Sequence, residues 1–255
     1  MLLALDCGNT NVAIGVFRGD ELLGHWRLAT NATRTEDEYF VLLRELFGSI
    51  GISTDDVDSM IVSSVVPGVN MALERLGNVH LHCRPLFVDH KTPTGIELRF
   101  DNPAEIGADR LVDTLAAHHA HPDRQVIVVD FGTATTFDSI SADGAYLGGI
   151  ICPGIEISQQ ALFAKASKLS NVSMYCPPHV IGTNTVDSLR SGILWGYGGM
   201  VDSLVLRMKE EMGGDPYVIA TGGLAATVAE YSRQIDEVDD MLMIKGLKLL
   251  ADKLF

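Results

Sequence analysis

Two short turns hold the residue types best suited to phosphate chemistry. In each, an aspartate at the end of an apolar run precedes a glycine and a threonine, as Asp6-Cys7-Gly8-Asn9-Thr10 and as Asp130-Phe131-Gly132-Thr133. Glycine lets backbone amides approach a phosphate closely, threonine adds a hydroxyl donor, and an aspartate at a strand end can bind the cation that accompanies phosphates. The pattern therefore predicts two turns that bind phosphates and their cations.

The elements around these two turns also repeat. An apolar strand, buried on both faces, leads into each turn over residues 2–5 and 126–129. Alternating apolar and polar residues with a tight turn follow, over residues 12–23 and 137–150. A single turn of this kind is equally well explained by the preference of turns for aspartate and glycine. Because there are two copies, the interpretation is an internal duplication of a strand and hairpin.

A third candidate lies between the two turns in the chain. Gly107-Ala108-Asp109-Arg110 begins an apolar helical stretch, after a segment broken by proline and glycine around a short predicted strand over 96–100. An acid at such a helix start is a candidate catalytic base, and charge on a helix surface is the ordinary alternative. His118, His119 and His121 lack Asp or Cys partners at metal-ligand spacing, so they are interpreted as a solvated helix end.

Composition limits the class of protein. The 255 residues suffice for two modest domains, and a hydrophobic content of 47% with 20% charged residues is that of a globular protein. A net charge of -14 disfavours binding to nucleic acid or to an anionic membrane. The longest apolar runs are strand-sized and the four cysteines are scattered, so we expect a cytoplasmic protein with reduced thiols.

The alternation of strands and helices predicts an α/β fold, with domains 1–120 and 121–255. One long helix is predicted from Val186 to about Met212, apolar on more than one face. Glycines within it suggest the close approach of another backbone or a ligand: Gly192, Gly196, Gly198 and Gly199. After the last core strand, Thr221-Gly222-Gly223 either admits a nucleotide or forms a tight turn.

These motifs carry a family resemblance. The duplicated Asp-x-Gly-x-Thr turn looks like the phosphate motifs of the actin, hexokinase and acetate kinase superfamily, in which two related α/β domains clamp ATP. With Gly107-x-Asp109-Arg110, Pro153-Gly154, Gly182-Thr183-Asn184-Thr185 and Thr221-Gly222-Gly223, the set resembles type III pantothenate kinase over nearly the whole chain. The resemblance implies transfer of the γ-phosphoryl group of ATP to pantothenate, the first step toward coenzyme A.

The resemblance also implies roles for individual residues and for partners. Asp109 would be the catalytic base, Asp130 would bind a monovalent cation, K⁺ or NH₄⁺, and Asp6 would lie near the Mg²⁺ of ATP. A homodimer is implied, in which Thr185 meets the pantothenate of the partner subunit. The other expected contacts with ATP are Asp6, Cys7, Gly8, Asn9, Thr10, Asn11, Val12, Ala13 and Thr133. The expected contacts with pantothenate are Phe100, Gly107, Ala108, Asp109, Arg110 and Thr185.

Two positions depart from the family pattern. Phe100 stands where the family usually has tyrosine, so it can supply apolar contact but no phenol hydrogen bond. Cys7 replaces an aliphatic residue, which a buried cysteine imitates. Two rival functions stay open from the residues: a kinase of another small alcohol or a phosphate hydrolase, and an ATP-binding regulator without turnover, since some relatives are labelled accessory factors for transcription.

Overall fold

The computed structural model describes residues 1–165, 175–177 and 179–255. The chain divides into two compact units. Unit 1 comprises Met1–Ile96, Asp101–Ala116 and Met241–Phe255, and unit 2 comprises Glu97–Phe100 and Ala117–Asp240. Each unit contains one five-stranded sheet. In the described part of the chain, no helix has both the length and the apolar character needed to cross a membrane.

The strands and helices alternate as the sequence predicts, except that no regular strand forms over 96–100 and a short strand that was not predicted forms at Glu237–Val238. The strands are β1 (Leu2–Cys7), β2 (Asn11–Arg18), β3 (Glu21–Ala29), β4 (Ser59–Ser64), β5 (Leu86–Phe87), β6 (Val126–Phe131), β7 (Ala134–Ile140), β8 (Tyr146–Pro153), β9 (Tyr217–Thr221) and β10 (Glu237–Val238). The helices are α1 (Glu36–Gly48), α2 (Pro67–Arg75), α3 (Ala108–Ala120), α4 (Ile155–Lys165), α5 (Thr185–Met212), α6 (Ala225–Ala229) and α7 (Leu242–Leu254).

The two sheets have the same topology, which confirms the predicted duplication. In unit 1 the order is β3-β2-β1-β4-β5, and in unit 2 it is β8-β7-β6-β9-β10 when counted from the corresponding edge. The central strands β1 and β6 each pair antiparallel with the following strand of their hairpin and parallel with β4 or β9. Each predicted phosphate turn therefore begins at the carboxyl end of a central strand.

Unit 1 buries both faces of its sheet, because alternate residues of β1 point to opposite sides. Leu3 and Leu5 pack in a cluster with residues of α1 and α2. Leu2 and Ala4 pack in a second cluster with residues of α3 and α7. Thr35 caps the start of α1, and its hydroxyl accepts the Glu38 N–H in the predicted capping box.

Unit 2 packs its sheet against the long helix α5. Residues of β6 and β9 share a buried cluster with Val201 and Val205 of α5 and Val228 of α6. Of the four glycines predicted to meet a close neighbour, Gly198 does so, since a Cβ there would lie 2.2 Å from the Tyr231 carbonyl oxygen. At the other three a Cβ would meet no described atom within 4 Å, so the approach of a ligand or of a second chain there stays a prediction: Gly192, Gly196 and Gly199.

The units do not follow the predicted domain limits of 1–120 and 121–255 at every point. Helix α7 belongs to unit 1, because its apolar face, including Leu247 and Leu250, packs with β1 and α3. Residues 97–100 belong to unit 2. They form no regular strand as predicted, only a single parallel bridge between Leu98 and Tyr146 of β8.

Candidate active site

The first turn, between β1 and β2, is closed by its own backbone and fastened to β3. The Gly8 N–H donates to the Asn11 carbonyl oxygen at 3.0 Å, and the Thr30 N–H donates to the Thr10 carbonyl oxygen at 2.9 Å. The Thr30 hydroxyl donates to the Gly8 carbonyl oxygen at 2.6 Å. Three residues at the tip are exposed: Asn9, Thr10 and Asn11. The turn thus offers a fixed backbone with exposed polar side chains, which suits a phosphate chain.

Asp6 lies at the end of β1, opposite Ser63 of β4 in the parallel register. Burial, followed by the negative charge of Asp109, raises the pKa of Asp6 to about 7. The Ser63 hydroxyl and the Arg27 charge offset part of that increase. The Ser63 hydroxyl lies near this carboxylate without a hydrogen bond of good geometry. A cation beside Asp6 would favour the charged carboxylate.

Asp109 lies in the first turn of α3 and folds back over the residues next to it. Its Oδ1 accepts the Arg110 N–H at 2.9 Å. A Cβ on Gly107 would lie 2.3 Å from the same Oδ1, so only glycine leaves room for this carboxylate. Burial raises the pKa of Asp109, while the Arg110 N–H and charge oppose the increase. The predicted base is therefore held in one orientation, partly buried, and inclined to accept a proton.

Unit 1 brings the first turn and the helix start together, since the Asp109 charge acts on Asp6. The partly buried Asp6 carboxylate, repelled by Asp109, fits a cation that neutralises it. Other predicted ATP contacts do not present side chains to a ligand. Cys7 and Val12 are fully buried in the core of unit 1, and burial raises the pKa of the Cys7 thiol. These two residues can contact ATP only through their backbone.

The second turn, between β6 and β7, holds Asp130 between two glycines. A Cβ on Gly132 would lie 3.1 Å from Asp130 Oδ2, and a Cβ on Gly222 would lie 2.3 Å from Asp130 Oδ1. Gly222 also has a φ of +92°, which L side chains rarely adopt. Thr221-Gly222-Gly223 therefore forms a tight turn between β9 and α6 that encloses the Asp130 carboxylate, and a contact with the nucleotide at this turn stays a prediction.

Thr133 lies in the second turn and is met there by the Pro153-Gly154 motif. A Cβ on Gly154 would lie 2.1 Å from the Thr133 carbonyl oxygen, so any side chain at this position would clash with the backbone of the second turn. Gly154 is buried directly before α4. The motif thus fixes the backbone of the second turn by close packing.

Phe100 and Thr185 belong to unit 2, whereas Gly107–Arg110 belong to unit 1. The Phe100 ring lies 5.8 Å from the Tyr146 ring, centroid to centroid. Thr185 is exposed as the first residue of α5. The Asn184 side chain caps this helix by accepting the Asp187 N–H at 2.9 Å. An exposed residue at a helix start is accessible to a ligand.

Three contributors to the site were not singled out from the sequence. Ser63 and Arg27 lower the pKa of Asp6, and Thr30 fastens the first turn. One signal existed for Ser63, because two serines interrupt an otherwise apolar strand over 60–66. Arg27 and Thr30 carry no such signal, since polar residues are ordinary at the end of an exposed hairpin strand. Among the described residues, no three His, Cys, Asp or Glu side chains cluster to hold a metal ion unaided.

Known proteins resemble this chain along its length. The family described as type III pantothenate kinase matches residues 2–207. The chain belongs to this family. A curated relative from Myxococcus xanthus, named type III pantothenate kinase, is 50% identical to this chain over 98% of this chain and 97% of the relative. One in an Anaeromyxobacter species is 49% identical over 99% of both chains. As a type III pantothenate kinase family member, the chain is a phosphotransferase.

Solved structures share the fold at low sequence identity. A Campylobacter jejuni protein named for the Baf family of transcriptional activators has a TM-score of 0.60 at 20% identity, covering 98% of each chain. An inorganic polyphosphate/ATP-glucomannokinase from Arthrobacter has a TM-score of 0.50 at 14% identity, covering 99% of this chain and 97% of the other. Together with the two matching sheets, this likeness confirms the predicted duplicated α/β fold of the actin, hexokinase and acetate kinase type.

Proposed function

We propose that this chain transfers the γ-phosphoryl group of ATP to the primary hydroxyl of pantothenate, the first step of coenzyme A biosynthesis. Membership of the type III pantothenate kinase family supports this reaction. One structural observation supports it most directly. The Asp109 carboxylate, held over Gly107, shares unit 1 with a phosphate-type turn and interacts electrostatically with Asp6 in that turn. A proton acceptor thus accompanies a phosphate-binding turn.

To catalyse phosphoryl transfer, a protein must position the acceptor and stabilise negative charge. The backbone and exposed side chains of the turn at 8–11 would bind the phosphates of ATP, since they form a fixed polar surface. Asp6 suits the divalent cation that accompanies ATP, because such a cation would favour the charged form of its carboxylate, whose pKa burial and the Asp109 charge raise. When bound with ATP, Mg²⁺ would neutralise charge on the transferred group.

Asp109 would orient the pantothenate hydroxyl and accept its proton as the new bond to phosphorus forms. Its raised pKa increases its affinity for that proton relative to an exposed aspartate. Gly107 is required for this role because a side chain there would displace the carboxylate. Arg110, the next residue, would bind the pantothenate carboxylate with its guanidinium group.

Asp130 would bind a monovalent cation, K⁺ or NH₄⁺, beside the second turn. Its carboxylate is partly buried and both its oxygens lie against glycine backbone, at Gly132 and Gly222. Carbonyl and carboxylate oxygens at such a position suit a hard cation. Thr133, in the same turn, would contact the nucleotide.

The proposal includes a homodimer. Unit 2 exposes large apolar side chains on and before α5, and adjacent residues of α4 are exposed as well. They are Ile157, Leu162, Tyr175, Val180, Ile181, Val186 and Trp195. At three glycines of α5 a Cβ would meet no described atom within 4 Å, which would let a second backbone approach closely. Thr185 would then reach the pantothenate of the partner subunit.

The state of the cysteines and the net charge support the location and the partners in this proposal. The described cysteines form no disulfide, which agrees with a reducing, cytoplasmic location. The net charge of -14 supports partners other than nucleic acids or anionic membranes. Family membership makes pantothenate and ATP the expected small-molecule partners.

The deciding experiment measures ADP release by purified protein with ATP, Mg²⁺ and K⁺, with and without pantothenate. We expect release only with pantothenate, and phosphopantothenate as the product by mass spectrometry. A panel of other small alcohols tests selectivity in the same assay. ATP bound without release of ADP would instead support a regulator, and ADP release independent of any alcohol would support a hydrolase.

A further inference from the structure

Residues 97–100 are fastened to unit 2 through a single residue of β8. The Tyr146 N–H donates to the Glu97 carbonyl oxygen at 2.9 Å, and the Arg99 N–H donates to the Tyr146 carbonyl oxygen at 2.9 Å. Leu98, between them, forms the parallel bridge to Tyr146. The segment thus lies along the edge of the sheet through one bridge and two backbone hydrogen bonds to Tyr146.

An ion-pair network adds to these two bonds. One nitrogen of the Arg99 guanidinium lies 2.8 Å from Glu97 Oε2 and 2.6 Å from Asp143 Oδ2. Asp143 lies in the turn between β7 and β8, where the Ser141 hydroxyl also donates to its other oxygen. The Ser141 hydroxyl and then Arg99 lower the pKa of Asp143, so this carboxylate stays charged at neutral pH. Asp143 therefore joins the segment to the turn of the β7–β8 hairpin, which Ser141 also holds through its hydrogen bonds with Asp143 and Ala145.

Phe100 is the last residue of this segment. Its ring packs at 51° to the Tyr146 ring. The same ring lies near Gly148 of β8, since a Cβ there would be 3.7 Å from it. A phenylalanine has no hydroxyl with which to fix its own position. The ring must therefore be placed by its packing and by the backbone that carries it.

We propose that Arg99 and Asp143 are positioning residues that hold Phe100 for apolar contact with pantothenate. This inference rests on the proposed function, because it assigns Phe100 to the substrate. Through its ion pair with Arg99, Asp143 holds the backbone segment that carries the Phe100 ring. Arg99 acts through the same backbone and touches neither ATP nor pantothenate itself.

The test compares Arg99→Ala and Asp143→Asn with the wild-type enzyme. We expect KM for pantothenate to rise about two- to fivefold, the range that exposed ion pairs support, with kcat and KM for ATP unchanged. Arg99→Lys should recover part of the loss, because it keeps a charge near both carboxylates. Asp215→Asn is the matched control, since it removes another exposed ion pair of unit 2, to Lys209 at 2.8 Å, and should leave KM unchanged.

A double-mutant cycle with Phe100→Ala separates positioning from a general structural effect. In the Phe100→Ala background, Asp143→Asn should no longer change KM for pantothenate, because the ring that it positions is gone. Phe100→Leu repeats the cycle with a side chain that keeps more of the packing. An undiminished effect of Asp143→Asn in both backgrounds would overturn the proposal, as would an unchanged KM in Arg99→Ala.

Amide hydrogen exchange tests the same anchoring without catalysis. Asp143→Asn should speed exchange at the Arg99 and Tyr146 amides, and Asp215→Asn should not. Unchanged exchange would show that the ion pair does not hold the segment, which overturns the inference even if pantothenate is phosphorylated. If wild-type protein phosphorylates no pantothenate, the proposed function fails by that result alone.

Discussion

Asp6→Asn is expected to stabilise the ligand-free protein, and to do so more at alkaline than at acidic pH. The fold raises the pKa of Asp6 from an ordinary 3.8 to about 7, mainly by burial and then by the Asp109 charge. The folded chain therefore binds a proton that the unfolded chain releases between these two values. Stability from this proton is complete below pH 3.8 and is lost as the pH rises through 7. An asparagine has no such proton to lose.

The magnitude follows from the size of the shift. About three units correspond to about 4 kcal/mol in total, at roughly 1.4 kcal/mol per unit. Proton linkage places about 2.5 kcal/mol of this between pH 5 and pH 8. For a chain of this length, that difference shifts the melting temperature by about 5–10 °C. The gain of Asp6→Asn over wild type should thus increase by this amount between the two pH values.

The assay is thermal unfolding of both proteins from pH 5 to pH 8, with chelator and without ATP. Asp55→Asn, at an exposed carboxylate of unit 1, is the control and should show a constant difference from wild type. Asp109→Asn should reduce the dependence, because it removes the second cause of the Asp6 shift. A gain of Asp6→Asn that is independent of pH would refute the argument from a buried, repelled carboxylate.

Four further changes test the site and the packing around it. Asp109→Asn should keep ATP binding and lower pantothenate-dependent turnover by about 10² or more, as loss of a general base does. Potassium should activate more than sodium in the same assay, and Asp130→Asn should abolish that difference. Gly154→Ala should lower stability by about 1–3 kcal/mol in denaturant titrations, since its Cβ would meet the Thr133 carbonyl oxygen. Mixed dimers of Asp109→Asn and Thr185→Tyr chains, each inactive alone, should regain activity, because one shared site then holds both intact residues.

Each expectation has an outcome that contradicts it. Near-normal turnover would remove Asp109 from the mechanism, and equal rates in the two salts would reject a selective cation at Asp130. Gly48→Ala, at an exposed end of α1 where a Cβ meets nothing within 4 Å, is the control for Gly154→Ala and should cost no stability. A verified mixed dimer that stays inactive would reject the shared site while leaving the kinase reaction in place.

Local signals in the sequence were sufficient for much of the fold. The Thr35 capping box predicts the start of α1, and Pro67 predicts the start of α2, because both effects act within a few residues. The internal duplication could be predicted from the sequence for a different reason. Two copies of one turn, each between a buried strand and a hairpin, require the same pairing order, and both sheets have it.

Contacts between distant parts of the chain could not be predicted in the same way. The interaction of Asp6 with Asp109 joins residues about a hundred positions apart, and no local pattern records it. The amphipathic face of α7 predicts that the helix packs on something, but not that it packs on β1 rather than on unit 2. The requirement for glycine at position 107 could not be predicted either. It becomes apparent only in the structure, where a Cβ on Gly107 would collide with the Asp109 carboxylate.

Helix α7 has a consequence for the order in which the units can form. Unit 2 has all its residues once Asp240 is made, whereas unit 1 includes Met241–Phe255. Until those residues leave the ribosome, the face of β1 that carries Leu2 and Ala4 lacks Leu247 and Leu250 as a cover. The half of the protein made first is therefore completed last. During synthesis its first turn would lie on a sheet with one apolar face uncovered, a state in which binding of a chaperone is favoured.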